Sequence, residues 1–262
     1  MGRLYSNGIA LPDVSYTSKH LGRLIHTLSK ATKKRAQSQP ETIFQWSKVS
    51  IPLRYRQFLK PLIWAAGRNP HCNKYHHDWH NKTVMIMAAI LSENLKSKPE
   101  QRFNLLFSAM VHDLDHRGRY MSHQDFVEER RSALIAGRRL YGRRGGEGRS
   151  WRLLNDRLDH TAFRRGHLME YGTNDITAIL MDADIMASLV FPIKPVQELT
   201  GNLKQELKSK QSADEMLKNF INLVAERGLA SSSAFKALQK LNLSQTALGH
   251  YPDAMKMILK QR

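Results

Sequence analysis

The segment VHDLDHRG, Val111 to Gly118, places two histidines and two aspartates within five positions, directly after the apolar run FNLLFSAM. Upstream, YHHDWH carries His76 and His80 at i and i+4, a spacing that puts both on one face of a helix. His112 follows His80 by 32 residues, and Asp184 follows Asp113 by 71, inside ILMDADIMASLVF. Imidazole nitrogens and carboxylate oxygens arranged H…HD…D suit a divalent metal of borderline hardness: Mn, Fe, Ni, Co or Zn. The carboxylate of Asp113 has a second oxygen, which could bridge to a harder cation such as Mg or Mn.

Asp184 strengthens this reading through its neighbours. On a helix it shares a face with Ile176, Ile179, Leu180, Ala183, Ala187, Val190 and Phe191, all apolar. A carboxylate on such a face is expected to be buried, and a buried charge needs a partner. A cation is one solution; an arginine or the amides of a helix N-terminus are the others. Asp182 lies roughly 200° round the helix, on a more mixed face. His112 and Asp113 close a second apolar helix, and His80 begins a third.

Taken together, His80, His112, Asp113 and Asp184 resemble the H…HD…D signature of the HD-domain metal-dependent phosphohydrolases. Locally, YHHDWH is similar to the Y-H-N-x-x-H motif of class I 3',5'-cyclic-nucleotide phosphodiesterases. HDLDHRG is similar to their H-D-x-D-H-P-G, and ADI at 183–185 to their A-D-L. EERRSALIA and LDHTAF resemble segments of bacterial HD hydrolases. The resemblance covers residues 70 to 195. His77 stands where those motifs have Asn, and Arg117 where they have Pro. The glutamine-plus-phenylalanine clamp that holds a purine is not recognisable; Gln245 lacks its surroundings.

The resemblance implies an all-α fold, an HD-domain helical bundle with additional N- and C-terminal helices. Residues 1–65 form an extension, 66–200 the catalytic core and 201–262 helices packing on it. It also implies phosphohydrolase chemistry on a phosphodiester or phosphate of a nucleotide, with one or two divalent ions (Mn, Fe, Ni, Co, Zn or Mg) and a metal-activated hydroxide as nucleophile. His80, His112, Asp113 and Asp184 would hold the first ion, and Asp113 would bridge to the second. His76 would be the general acid, a task suited to histidine. Asp115, His116 and Glu129 would support the ligands from behind. Arg117, Arg119 and Lys82 are candidates for substrate phosphate, and His160 and His167 for the second metal. Tyr75, His77, Trp79 and His123 are expected to pack or line the rim. His71 and Cys72 make no zinc site, because the chain has no second cysteine.

These residues must be positioned by helices, since no long β-type alternation is present. Helices are expected over 21–35, 54–66, the second half of the segment 71–95, a stretch starting at SKPE and ending at VHD, 122–140, 150–163 and 174–191. Two or three more are expected after 200, with Gly228 as a stop. AQSQPE reads as a break. Ser97 and Glu100 have capping-box spacing, with Pro99 in the first turn. The Gly- and Arg-rich stretch 142–150 is expected to be a surface loop.

Composition bounds the rest. The chain has 262 residues, 41% hydrophobic, enough for a substantial core. One cysteine excludes an internal disulfide framework and fits a reducing, cytoplasmic setting. The longest apolar run, VMIMAAIL, is too short to span a bilayer, so no membrane insertion is expected. The net charge of +18 attracts polyanions. That field keeps two alternatives open beside a small nucleotide or other phosphoester substrate: an HD-type nuclease acting on single-stranded DNA or RNA, and a non-catalytic nucleotide-binding regulator.

Overall fold

A computed structural model of the chain describes residues 5–6, 9–10, 33–53, 56, 59, 62–63, 73–76, 78–95, 98–118, 127–141 and 175–260. Among them the protein is all-α. Its helices are α1 (Lys33–Trp46), α2 (Asp78–Leu91), α3 (Pro99–Val111), α4 (Val127–Tyr141), α5 (Asp175–Ala187), α6 (Ile193–Leu207), α7 (Ala213–Arg227), α8 (Ser232–Lys240) and α9 (Pro252–Lys260). A one-turn 3-10 helix, Ser92–Leu95, extends α2. Among the described residues the one β feature is a pair of two-residue antiparallel strands, β1 (Tyr5–Ser6) and β2 (Ile9–Ala10), with Tyr5 opposite Ala10. The intervening residues in the sequence are Asn7–Gly8, a strong short-range hairpin signal.

The middle of the fold is α2. Every residue from His80 to Ser92 is buried, so this helix is covered on all sides. It packs mainly against α3 and α5, which also pack on each other. α1 lies over α2, and α8 touches both α2 and α5. α6, α7 and α9 form an adjoining layer, with α7 against both partners. One continuous apolar core runs from Ile43 to Ile258.

Several sequence expectations change in detail. AQSQPE does not break the chain: Pro40 lies inside α1. The residues after it explain this. Ile43, Phe44 and Trp46 are buried, and the Phe44 ring sits 5.9 Å from that of Phe103. Burying three large side chains, each worth roughly 1.5–3 kcal/mol, offsets a proline cost of about 3 kcal/mol. α3 starts at Pro99, so Lys98 rather than Ser97 is its N-cap, and Lys98 makes no side-chain capping bond. A full capping box appears instead at α7, between Ser212 and Glu215. Helical residues Leu59, Leu62 and Ile63 are buried at i, i+3 and i+4, in agreement with a helix over 54–66. Gly228 ends α7 with φ 82°, as expected. The helix expected over 150–163 and the loop 142–150 lie outside the described residues.

The two aspartates of α5 exchange the roles read from the sequence. Asp182 is the fully buried one. Its carboxylate accepts the backbone N–H groups of Ala230 (2.8 Å) and Ser231 (2.6 Å) and the Ser231 hydroxyl (2.6 Å). These groups lead into α8, so the helix-terminus solution proposed for Asp184 is the one Asp182 uses. Its face is covered because α8 docks there. Asp184 is the one residue of Ile176–Ala187 that is not buried, because its face lines the site described below.

Asp182→Ala should strand the buried amide of Ser231 and the half-buried one of Ala230. We expect a loss of about 3 kcal/mol, roughly 6–12 °C in Tm, by thermal unfolding. A change below 1 kcal/mol would contradict the docking role.

Candidate metal centre

Three central helices deliver four donors to one end of the bundle. His80 is the third residue of α2, His112 caps the C-terminus of α3 and Asp113 follows it, and Asp184 lies in the last turn of α5. The apolar faces that bury α2, α3 and α5 against each other therefore also fix the donors.

The donors converge. His80 Nε2 lies 3.2 Å from His112 Nε2, 3.2 Å from Asp113 Oδ2 and 3.2 Å from Asp184 Oδ1. His112 Nε2 is 3.1 Å from Asp113 Oδ2 and 3.8 Å from Asp184 Oδ1. The imidazoles are almost wholly buried, at 3% and 1% exposure, and the carboxylates are 11% and 18% exposed. Solvent thus reaches the acids and not the bases. The Ala109 carbonyl accepts from His112 Nδ1 at 2.8 Å. That bond puts the ring proton on Nδ1 and leaves Nε2 with a lone pair for the cluster.

This arrangement fits a divalent cation. Two imidazole nitrogens facing each other at 3.2 Å repel unless a proton or a cation lies between them. Two nearby carboxylates add negative charge in a desolvated place. His80, His112 and Asp184 each offer a donor atom within 4.8 Å of the others.

In the ion-free state protons take this part. Burial works to lower the His80 pKa, but the carboxylates of Asp113 and Asp184 outweigh it and raise it to about 10. His112 is likewise raised, burial being outweighed mainly by Asp113. Burial would raise the Asp113 pKa, yet the surrounding histidines hold it well below the usual carboxylate range. Burial, followed by the charges of Asp184 and Asp113, holds the Tyr75 hydroxyl far above its ordinary value. The Tyr75 ring lies 4.6 Å from that of His80.

Next to the four donors stands a second group, His76, Asp113 and His116, also with donor atoms within 4.8 Å. The His76 and His116 rings stack at 3.7 Å and 16°. His76 Nδ1 meets Glu206 Oε1 in a short hydrogen bond, and Glu206 Oε2 accepts the N–H groups of Tyr75 (2.9 Å) and His76 (3.2 Å). Burial would raise the Glu206 pKa, but the bond from His76 brings it below its ordinary value. His116 goes the other way: burial, then the neighbouring His76, lower it to about 4. Glu206 was not found in the sequence. It lies in α6, outside every motif, and nothing in KQEL distinguishes it from a surface glutamate.

The loop from His112 to Gly118 is pinned by α4. Ser132 Oγ donates to the Leu114 carbonyl at 2.8 Å, Arg131 Nε donates to Asp115 Oδ2 at 3.0 Å, and Glu128 accepts Arg117 N (3.1 Å) and Arg117 Nε (2.7 Å). Asp115 and Gly118 both take left-handed backbone, φ 64° and 65°. A Cβ at position 118 would lie 2.9 Å from Glu206 Oε1 and 2.8 Å from Asn73 Cγ, so glycine is required by both conformation and space.

Other candidates fall in different places. Asp115 pairs with Arg131, and it is Glu128 that holds Arg117, with Glu129 half-buried on the same helix. Lys82 is 2% exposed and lies two residues beyond His80, roughly 200° round α2. Arg119, His123, His160, His167, His71, Cys72 and His77, and the side chain of Trp79, lie outside the described residues. No protein-family model matches the chain, and no curated protein matches it significantly in sequence. No helix among the described residues is long and apolar enough to cross a membrane.

The shifts set a pH signature. His80 and His112 hold protons in the folded, metal-free protein that the unfolded chain loses above about 6.5. The His80 stabilisation is full below that pH and is lost as pH rises through about 10, and that of His112 is lost as pH rises above its ordinary range. His116 acts oppositely, so stability should rise with pH from about 4 to the ordinary histidine range. Metal-free stability should therefore peak near neutrality and fall toward pH 10, by up to roughly 1.4 kcal/mol per pH unit for each proton, and the Tm should follow it. Scanning calorimetry in EDTA would check this; a Tm flat from pH 7 to 10 would contradict it.

Proposed function

We propose that the chain is a metal-dependent phosphohydrolase of the HD-domain type, acting on a phosphodiester or phosphate of a nucleotide. The observation that carries this is the meeting of His80, His112, Asp113 and Asp184 beside a histidine already oriented by a carboxylate. The all-α bundle and the H…HD…D order support the same reading.

His80, His112, Asp113 and Asp184 would hold the ion. A divalent cation there would supply Lewis-acid neutralisation of phosphoryl charge and a lower pKa for a coordinated water. The remaining work belongs to side chains. Glu206 fixes the His76 ring by its Nδ1 edge, so Nε2 is the ring nitrogen that Glu206 does not hold. His76 would deliver a proton from Nε2 to the departing oxygen, with Glu206 stabilising the charged ring. The α4 contacts keep Asp113 aligned through the loop that follows it.

A second reading has one observation in its favour. The net charge of +18 favours a polyanionic substrate, and hence a nuclease acting on single-stranded DNA or RNA. A regulator that only binds a nucleotide has less support, because all four donors and His76 are present.

The test is metal content and hydrolysis of bis(p-nitrophenyl) phosphate with added Mn²⁺, for wild type, Asp113→Ala and Glu206→Gln. Asp113→Ala should lose the ion and at least a hundredfold in activity. Glu206→Gln should keep the ion, lose roughly tenfold to a hundredfold in kcat and shift its acidic-group limb in the pH profile. A wild type that binds ion but cleaves neither diesters nor phosphomonoesters would point to the binding role. Turnover that falls steeply with salt on oligonucleotides would favour the nuclease.

A further inference from the structure

We infer that His116 is a fixed, neutral hydrogen-bond donor for an anionic oxygen of the substrate, and that His76, Asp113 and His116 form a substrate subsite instead of a second cation site. The inference rests on the phosphoester reading above.

The backbone N–H of Gly118 donates to His116 Nδ1 at 3.0 Å. A ring nitrogen that accepts a hydrogen bond has its lone pair in use, so the neutral ring carries its proton on Nε2. Nε2 is then the ring nitrogen left for a further partner, and it carries N–H. Metal ligation needs a bare nitrogen. His76 is arranged the other way round: its Nδ1 edge is held by Glu206.

Ring orientation points in the same direction. The two imidazoles stack at 3.7 Å and 16°. Near-parallel stacked rings direct their in-plane lone pairs side by side, so they do not converge on one ion without breaking the stack. The contrast with the first cluster is direct: His80 and His112 are tilted by 58°, and their Nε2 atoms point at each other.

The backbone holds His116 in this pose. Its carbonyl accepts Asn73 Nδ2 at 2.6 Å, and the left-handed residues Asp115 and Gly118 turn the loop so that the Gly118 amide reaches the ring. Two neighbouring histidines would then have separate tasks. His76 has a carboxylate behind it and can pass a proton. His116 has an amide behind it and can only donate a hydrogen bond, which suits a phosphoryl oxygen that gains charge during reaction.

The test combines a direct readout of the tautomer with kinetics. In ¹⁵N-histidine-labelled wild type loaded with Zn²⁺, long-range ¹H–¹⁵N correlations should show His116 as the Nε2–H form, assigned by loss of its signals in His116→Gln. With bis(p-nitrophenyl) phosphate, His116→Ala should lose tenfold to a hundredfold in kcat/KM. His116→Gln, which retains an N–H donor, should recover most of it. Both variants should bind as much metal as wild type. An Nδ1–H form, an unimpaired His116→Ala, or loss of one of two bound ions in His116→Ala would each overturn the inference. A wild type that binds ion but cleaves no phosphoester would sink the underlying reading; an Nδ1–H ring in an active wild type would sink this inference alone.

Discussion

Everything in this structure depends on keeping two carboxylates and two imidazoles together at the buried end of three packed helices. Asp113 Oδ2 lies 3.2 Å from one ring nitrogen and 3.1 Å from the other. Charges taken out of water are costly unless paired, and breaking such a group by removing one member typically costs several kcal/mol. The packing of α2, α3 and α5 on one another supplies the constraint, because it holds the helix ends that carry the donors. His80 Nδ1 is itself buried without a hydrogen-bond partner among the described residues, so the ring is held by packing and by the cluster.

Around that core the protein adds a second level of control from helices distant in sequence. α4 grips the loop after Asp113 at three points, Leu114, Asp115 and Arg117. α6 reaches in from the other side with Glu206 and fixes the segment Tyr75–His76 by its backbone as well as by the His76 ring. Gly118 is where the two meet: any side chain there would press on Glu206 and Asn73. The C-terminal helices are therefore part of the site's architecture.

What was legible in the sequence follows from physics that acts locally. The apolar faces of α2, α3 and α5, the four donors at their ends and the stop at Gly228 were readable because periodicity and spacing are local properties. The burial of Asp182 and exposure of Asp184 were not, because α5 is apolar nearly all round and only tertiary docking of α8 decides which face is closed. Pro40 inside α1 was misread for a related reason: burial of Ile43, Phe44 and Trp46 is a tertiary gain that overrides a local breaker. Glu206 was invisible because its partner is 130 residues away and its own segment is an ordinary amphipathic helix. Glu128 and Glu129 differ by one position, and only the fold shows that the first takes Arg117.

The claim on which the account turns is that His80, His112, Asp113 and Asp184 hold one divalent ion. The most direct measurement is an anomalous difference map from crystals grown or soaked with Mn²⁺. The account predicts one strong peak at roughly 2.0–2.3 Å from both Nε2 atoms and from an oxygen of each carboxylate. A peak ligated by His76 and His116 in its place, or no peak at the four donors in Mn²⁺-saturated crystals, would contradict it.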